Sequence, residues 1–425
     1  MASWEHLDRY LILSSDAHAG NSITGYRDYL DPRWHEEFDA WAAAVVNPWH
    51  DPRDVTNWDS DARTRAMDAE GVTGELLFPN TLPPFYDIMT HLAGLPRGRA
   101  AFDRRWAGLQ AHNRWIVEFC EELPERRRAV VQLLPNDIDT AIAEVRWAAE
   151  QRVVGGVMLP AVPPNHEIPP YYHRSYDPLW AALIEADLPV HQHQGSGSPD
   201  GPTDTDVSVS VMFIDLELWT RLTMSHLIVG GVFERHPKLK FVWTEMPGLR
   251  WALEDLERMT RGVQIVQSRY ASDPAQLNFA GSFGSPTMEG LSLTPMEYFA
   301  RNCYIGASLL SPYDTRYIRP LGVDRVMWGH DAPHPEGSNG RTTDSLRSLF
   351  HDFASDECRQ LLTTTAADLY RFDLDALAAT AERIGPRVDE VAVPLDHLPD
   401  DSTGAAFTRP NELRVALDES SIGGL

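Results

Sequence analysis

Cysteine is scarce: Cys120, Cys303 and Cys358 are the only three in 425 residues. Three thiols without close spacing cannot staple a disulfide framework, and they predict a reducing, cytoplasmic setting. Long apolar runs are missing as well. No stretch approaches the ~18 residues that a membrane-spanning helix needs. The opening MASWEHLDRYLILSSDAH has no basic region ahead of its short apolar run, so a signal peptide is not expected. Basic residues are in deficit, 37 Lys and Arg against 62 Asp and Glu, for a net charge of -25. Such a surface repels phosphate backbones and anionic lipid, which excludes nucleic acid and membranes as expected partners. No GxGxxG or GxxxxGK(S/T) follows any apolar run, so dinucleotide and P-loop chemistry lack their signatures.

What is present is a recurring unit. Short apolar runs appear at 10–14 (YLILS), 74–78 (GELLF), 129–134 (AVVQLL), 155–159 (GGVML), 188–193 (LPVHQH), 239–244 (LKFVWT), 302–306 (NCYIG) and 325–329 (RVMWG). Several are apolar without alternation, as strands buried on both faces should be. Amphipathic stretches at 140–151, 177–186 and 249–260 read as helices between them. Eight such units predict a (β/α)8 barrel over residues 1–373, with a doubly wound open sheet as the competitor. A C-terminal helix and extended tail are expected over 374–425. Long insertions are expected at 24–59, 81–99, 195–215 and 268–294, the first three directly after a strand and so on the catalytic face of a barrel.

Polar residues with ligand chemistry gather at the ends of these runs. Asp16 and His18 are two apart and share one face of an extended chain. A carboxylate and an imidazole there form half a metal site, though an Asp capping a turn beside an ordinary His reads equally well. His191 and His193 repeat the spacing. His193 lies nearer the mouth and is the better ligand. Asp331, in WGHDAPH, suits ligation and proton transfer, or capping of the next helix. His334 follows a proline that can turn it back over the site. Glu245 follows FVW, where a lone buried anion is costly, and a metal, a proton or Arg250 would satisfy it. Trp58, Phe85, Tyr86, Trp115, Phe213 and Tyr304 lie in or near the long segments and suit a roomy, partly apolar pocket.

The texts SSDAHAG, LLFPN, GLQAHNRW, GSGSPDG, GGVFERHPKLKFVWTE, MWGHDAPHPEG and AADLYRFD span residues 14–373. Together they resemble the amidohydrolase superfamily, in the branch containing the aminocarboxymuconate semialdehyde and resorcylate decarboxylases. That resemblance implies one divalent ion, zinc or manganese, held by Asp16, His18, His193 and Asp331. It implies hydrolysis or non-oxidative decarboxylation of a cyclic, carboxylated small molecule, with Asp331 transferring the proton. Glu245 would serve as ligand or second catalytic carboxylate, standing where the decarboxylases carry His. The strand-four text GGVMLP lacks the lysine of the binuclear hydrolases. His112 and Asn113, in AHNRW, and His334 would contact substrate, and a homodimer is expected.

Counting His191 and Glu245 as ligands gives three imidazoles and three carboxylates, an inventory for two ions with a bridging carboxylate. Such ligation suits non-haem iron and O2 chemistry. This reading resembles the diiron monooxygenase of the platensimycin pathway, built on an amidohydrolase-like barrel and acting on a bulky terpenoid intermediate. A third reading, a non-catalytic ligand-binding barrel, predicts a broken ligand set, whereas here every core position holds a competent residue.

Overall fold

The computed structural model describes residues 4–46, 54–90, 92–198, 208–246, 249–270, 290–338, 340–399 and 404–408. The expected insertions at 195–215 and 268–294 therefore lie partly outside the described residues, as does the Phe213 side chain. Eight parallel strands form one sheet in chain order: β1 Ile12–Ala19, β2 Val72–Pro79, β3 Arg127–Gln132, β4 Val154–Met158, β5 Val190–His193, β6 Phe241–Thr244, β7 Cys303–Ala307 and β8 Val326–Trp328. Each sits on one of the apolar runs read from the sequence. Helices separate the strands, among them Ser60–Glu70, Arg99–Glu121, Ile138–Ala149 and Asp177–Glu185. Asp59 and Asp137 open two of them by accepting backbone N–H bonds, as N-caps do. β8 returns to β1 through the amide of Asp331, which donates to Asp16 O at 2.9 Å, and that of His18, which donates to Ala332 O at 2.8 Å. The barrel thus closes at the very residues proposed as ligands.

Strand alternation divides the apolar residues into two cores. Ile12, Leu77, Val131, Val157, Val190, Phe241, Trp243, Ile305 and Trp328 face outward and pack with the helices. Leu13, Leu76, Phe78, Val130, Met158, Val242 and Met327 face inward and fill the barrel. Tyr370, Phe372 and Leu377 belong to this inner core, so the helix Leu374–Ile384 packs against the barrel itself. Two aromatics expected near a pocket serve packing instead: Trp115 stacks on Phe119, and Tyr304 packs against the inner core.

β1 departs from the simple strand expected. Its register on β2 slips between Ser14 and Ala17, three residues on β1 spanning the two from Glu75 to Leu77. One extra residue flips the alternation. Without it, Leu13 facing inward would send Asp16 and His18 outward. The Ser14 hydroxyl braces the bulge, donating to Asp16 O at 2.7 Å.

A buried ion pair supports the same strand. Arg63, on the helix Ser60–Glu70, donates from Nη2 to Glu75 Oε2 at 2.8 Å and from Nη1 to the His18 carbonyl at 2.7 Å. Neither partner has more than 2% of its side chain exposed. Removing one half of such a pair leaves an uncompensated buried charge. Arg63→Leu is expected to destabilise the protein by about 3–5 kcal/mol, read by denaturant unfolding. A loss under ~1 kcal/mol would show that Arg127, 3.9 Å from Glu75, suffices alone. Among the described residues no helix is long and apolar enough to cross a membrane.

Candidate metal centre

Four strand ends deliver five donors. The bulge turns Asp16 and His18 inward from β1, and His193 is the last residue of β5. Glu245 and Asp331 follow β6 and β8 in left-handed backbone, at φ 60° and 57°. Asp tolerates that region; Glu rarely adopts it, and its strain is held by the Glu245 amide donating to Gly306 O at 2.8 Å. The β8 chain approaches so closely that a Cβ on Gly329 would lie 2.7 Å from Asp16 Cβ. Only glycine leaves Asp16 its place.

The donor atoms converge. His18 Nε2 lies 3.5 Å from Asp16 Oδ1 and 3.1 Å from Asp331 Oδ1, and His193 Nε2 lies 3.7 Å from Asp16 Oδ1. Glu245 Oε2 is 3.6 Å from His193 Nδ1, and His334 Nδ1 is 3.0 Å from Asp331 Oδ1. Asp16, His18, His193 and Glu245 form one group with all donor atoms within 4.8 Å of one another. His18, Glu245, Asp331 and His334 form a second, overlapping group.

This arrangement fits a divalent cation. His18 Nδ1 donates to the Pro79 carbonyl at 3.0 Å, which directs the Nε2 lone pair inward. Asp16 Oδ1 and Asp331 Oδ2 are buried with no hydrogen-bond partner among the described residues. The other Asp16 oxygen accepts from Ser308 Oγ at 2.6 Å. Without a cation, three carboxylates crowd one enclosed space and draw protons to it. Burial pushes the Glu245 carboxyl up to about 8, against the pull of His193. Burial disfavours the His193 imidazolium, yet Glu245 and Asp16 overcome it and hold its pKa at about 10. His334 is raised to about 9, burial being outweighed by Asp331. Asp331 is held well below the usual carboxylate range by His334 and His18, against its burial. A divalent ion would supply the same positive charge directly.

The other expected residues take different places. His191 falls outside both donor groups. It sits one inward position deeper on β5, stacked on Tyr370 and edge-on to Phe78, with Nδ1 3.2 Å from Thr244 Oγ1. Burial, with His193 adding to it, lowers its pKa to about 3, so it is neutral. His191→Asn is expected to leave metal content unchanged and lower activity on the order of 10-fold. Loss of one ion per chain would return it to the ligands. Asn113 does not face a substrate space. Its amide donates to Gln132 O and Glu144, both at 2.9 Å, and accepts from Gln132 N at 2.8 Å, tying helix Arg99–Glu121 to β3. His112 is buried beside Tyr26, whose hydroxyl is 2.9 Å from His112 Nδ1. His334, expected to contact substrate, stands among the donors. The Arg250 side chain, a proposed partner of Glu245, lies outside the described residues. Sequence reasoning missed Ser308, which directly follows β7, and Asn80, whose Oδ1 lies 3.1 Å from His334 Nε2. Their only signal is a polar residue just past a strand end.

A parallel eight-stranded barrel whose strand ends enclose imidazoles and carboxylates able to hold a metal ion defines the class, a (β/α)8 barrel with a candidate metal centre. The sequence pattern of the Amidohydrolase family matches residues 40–372, and the chain belongs to that family. The match begins beyond β1, so Asp16 and His18 are placed by the fold. No curated protein matches the chain. Among solved structures it is similar to 5-carboxyvanillate decarboxylase from Sphingomonas paucimobilis, at 18% identity and TM-score 0.60, over 86% of this chain and 100% of that one. It is also similar to the 5-carboxyvanillate decarboxylase from Novosphingobium aromaticivorans DSM 12444 complexed with manganese and 4-hydroxy-3-methoxy-5-nitrobenzoic acid (17% identity, TM-score 0.59, 86% and 97% covered). A third is the dihydroxybenzoic acid decarboxylase from Polaromonas sp. JS666 with bound manganese and 2-nitroresorcinol (16% identity, TM-score 0.55, 85% and 97% covered). At these identities the likeness is one of fold.

Proposed function

We propose that the protein is a manganese-dependent, non-oxidative decarboxylase of a hydroxylated aromatic carboxylate. The observation that carries this reading is the enclosed donor set of Asp16, His18, His193 and Asp331, all at most 1% exposed, with a proton-holding His334 against Asp331. Those four residues would hold the ion, which supplies positive charge to anchor the substrate carboxylate and a neighbouring ring oxygen. The chain's own groups handle the proton. His334 Nε2–H donates to Asn80 Oδ1, so its Nδ1 faces Asp331 Oδ1 at 3.0 Å and the pair holds one proton at the site. Delivery of that proton to the ring carbon forms a C–H bond as the bond to the carboxylate breaks, releasing CO2, and solvent replaces the proton. Decarboxylation consumes no water, in keeping with an enclosed site; hydrolysis would need a water admitted to it. The likeness to aryl-carboxylate decarboxylases supports the substrate class.

A second reading rests on one observation: the two donor groups overlap at His18 and Glu245. Two ions sharing Glu245 would make a dinuclear centre, with iron and O2 chemistry as the alternative function. One set of measurements separates them. The protein purified without added metal is analysed for metal, then assayed with 2-hydroxybenzoates for CO2 release and O2 uptake. About one manganese or zinc per chain with CO2 release supports the decarboxylase. Two irons with O2 uptake and no CO2 would replace it.

A further inference from the structure

A small cavity of about 20 Å3 sits at the barrel mouth, bordered by the ends of β3 and β4 and the segment after β5. Its walls are largely apolar, including Leu109, Leu134 and Met158. Besides the Tyr86 phenol, three lining residues are polar: Thr90 in the loop after β2, Gln132 at the end of β3, and Ser196 just past β5. All three are buried, at 7%, 2% and 1% exposure. Each carries an atom with no hydrogen-bond partner among the described residues: Thr90 Oγ1, Gln132 Nε2 and Ser196 Oγ. One orphaned polar atom is a common irregularity; three around one cavity point to an occupant that pairs with them.

The cavity lies beside the donor-bearing end of β5, which Ser196 follows. Gln132 pairs in register with Met158, and Met158 with His191, which places them one inward layer below His193. From the other side, the Ser196 amide donates to His193 O at 3.1 Å. None of the described lining residues carries a cation, and Arg105 beside them is taken up by Gly94 O and the Tyr86 ring, so a neutral group suits the cavity better than a carboxylate. A volume near 20 Å3 admits about one oxygen-sized group. A hydroxyl offers one donor and two acceptor sites. It would accept from Gln132 Nε2–H and from one of the two Oγ–H groups, and donate to the other oxygen.

We propose that this cavity is a specificity subsite that receives a ring hydroxyl of the substrate, distinct from the oxygen beside the carboxylate. The inference rests on the decarboxylase reading and narrows its substrate class to polyhydroxylated aryl carboxylates. The test is titration calorimetry on the manganese-loaded protein with 2-nitrophenol and its four singly ring-hydroxylated derivatives, none of which can be decarboxylated. One derivative is expected to bind about tenfold or more tighter than 2-nitrophenol, and its O-methyl ether to lose that gain. In Gln132→Leu, Thr90→Val and Ser196→Ala the ratio is expected to fall to within about twofold. These substitutions lie on three separate elements, and metal content and melting are checked for each, so one misfolded variant does not decide the outcome. If no derivative outbinds 2-nitrophenol, or the preference survives all three substitutions, the cavity holds a structural water only and the subsite is overturned. If none of the nitrophenols binds, the aryl-carboxylate reading itself fails and the subsite falls with it.

Discussion

Replacing Asp331 by asparagine is expected to lower turnover by on the order of 10³-fold or more, and His193→Ala to empty the site of metal. Asparagine keeps the size of Asp331 and tolerates φ 57°, so the local backbone should survive. What it loses is charge and proton capacity. An amide cannot hold the proton that His334 shares with Asp331 at 3.0 Å, and as a neutral group it binds a cation weakly. His193 brings Nε2 to within 3.7 Å of Asp16 Oδ1, and alanine leaves that carboxylate facing a gap. Elemental analysis, CO2 release and a circular-dichroism melt on each variant check the pair of expectations. Full turnover with normal metal content in a folded Asp331→Asn protein would remove Asp331 from the site.

Chelation is expected to destabilise the protein, and more so at higher pH. An ion present at a thousand times its Kd contributes about 4 kcal/mol, which stripping removes. The pH dependence of the stripped protein follows from three raised pKa values: Glu245 to about 8, His334 to about 9 and His193 to about 10. Over those ranges the folded chain binds protons that the unfolded chain has released, so stability falls as pH rises. Glu245 acts between about 4.5 and 8; the two histidines act between about 6.5 and their folded values. Buried His18, His112 and His191 have lowered values and cost stability only below about 6.5. The melting temperature of EDTA-treated protein should therefore drop steadily from pH 7 to 9.5. The manganese-loaded protein should lack that slope, because the ion binds the deprotonated groups. A flat or rising trend in the stripped protein would mean that these groups do not share one enclosed site.

Much of this molecule is legible from residue order. Eight apolar runs separated by amphipathic stretches lead to a (β/α)8 barrel because both faces of each strand must be buried, and that demand is written locally in composition. The spacing of Asp16 and His18, the HQH of β5 and the Asp after WGH likewise place donors at strand ends, since side-chain alternation depends on neighbours alone. Tertiary structure decided the rest. The bulge at Ser14 aims Asp16 inward, and no local signal marks it, because it follows from how β1 pairs with β2 and β8. His191 and His193 share one face and look alike in sequence. Only depth separates them, since Tyr370 and Thr244 flank one and carboxylates surround the other. Asn113 reads as a substrate contact until β3 and Glu144 are seen to take its whole amide. His334 and Ser308 enter the site because the chain closes β8 onto β1 and ends β7 beside Asp16. Periodicity is a property of neighbours along the chain, whereas the depth of a layer, the closing of a barrel and the partner of a buried amide depend on segments far apart in sequence, and only packing brings those together.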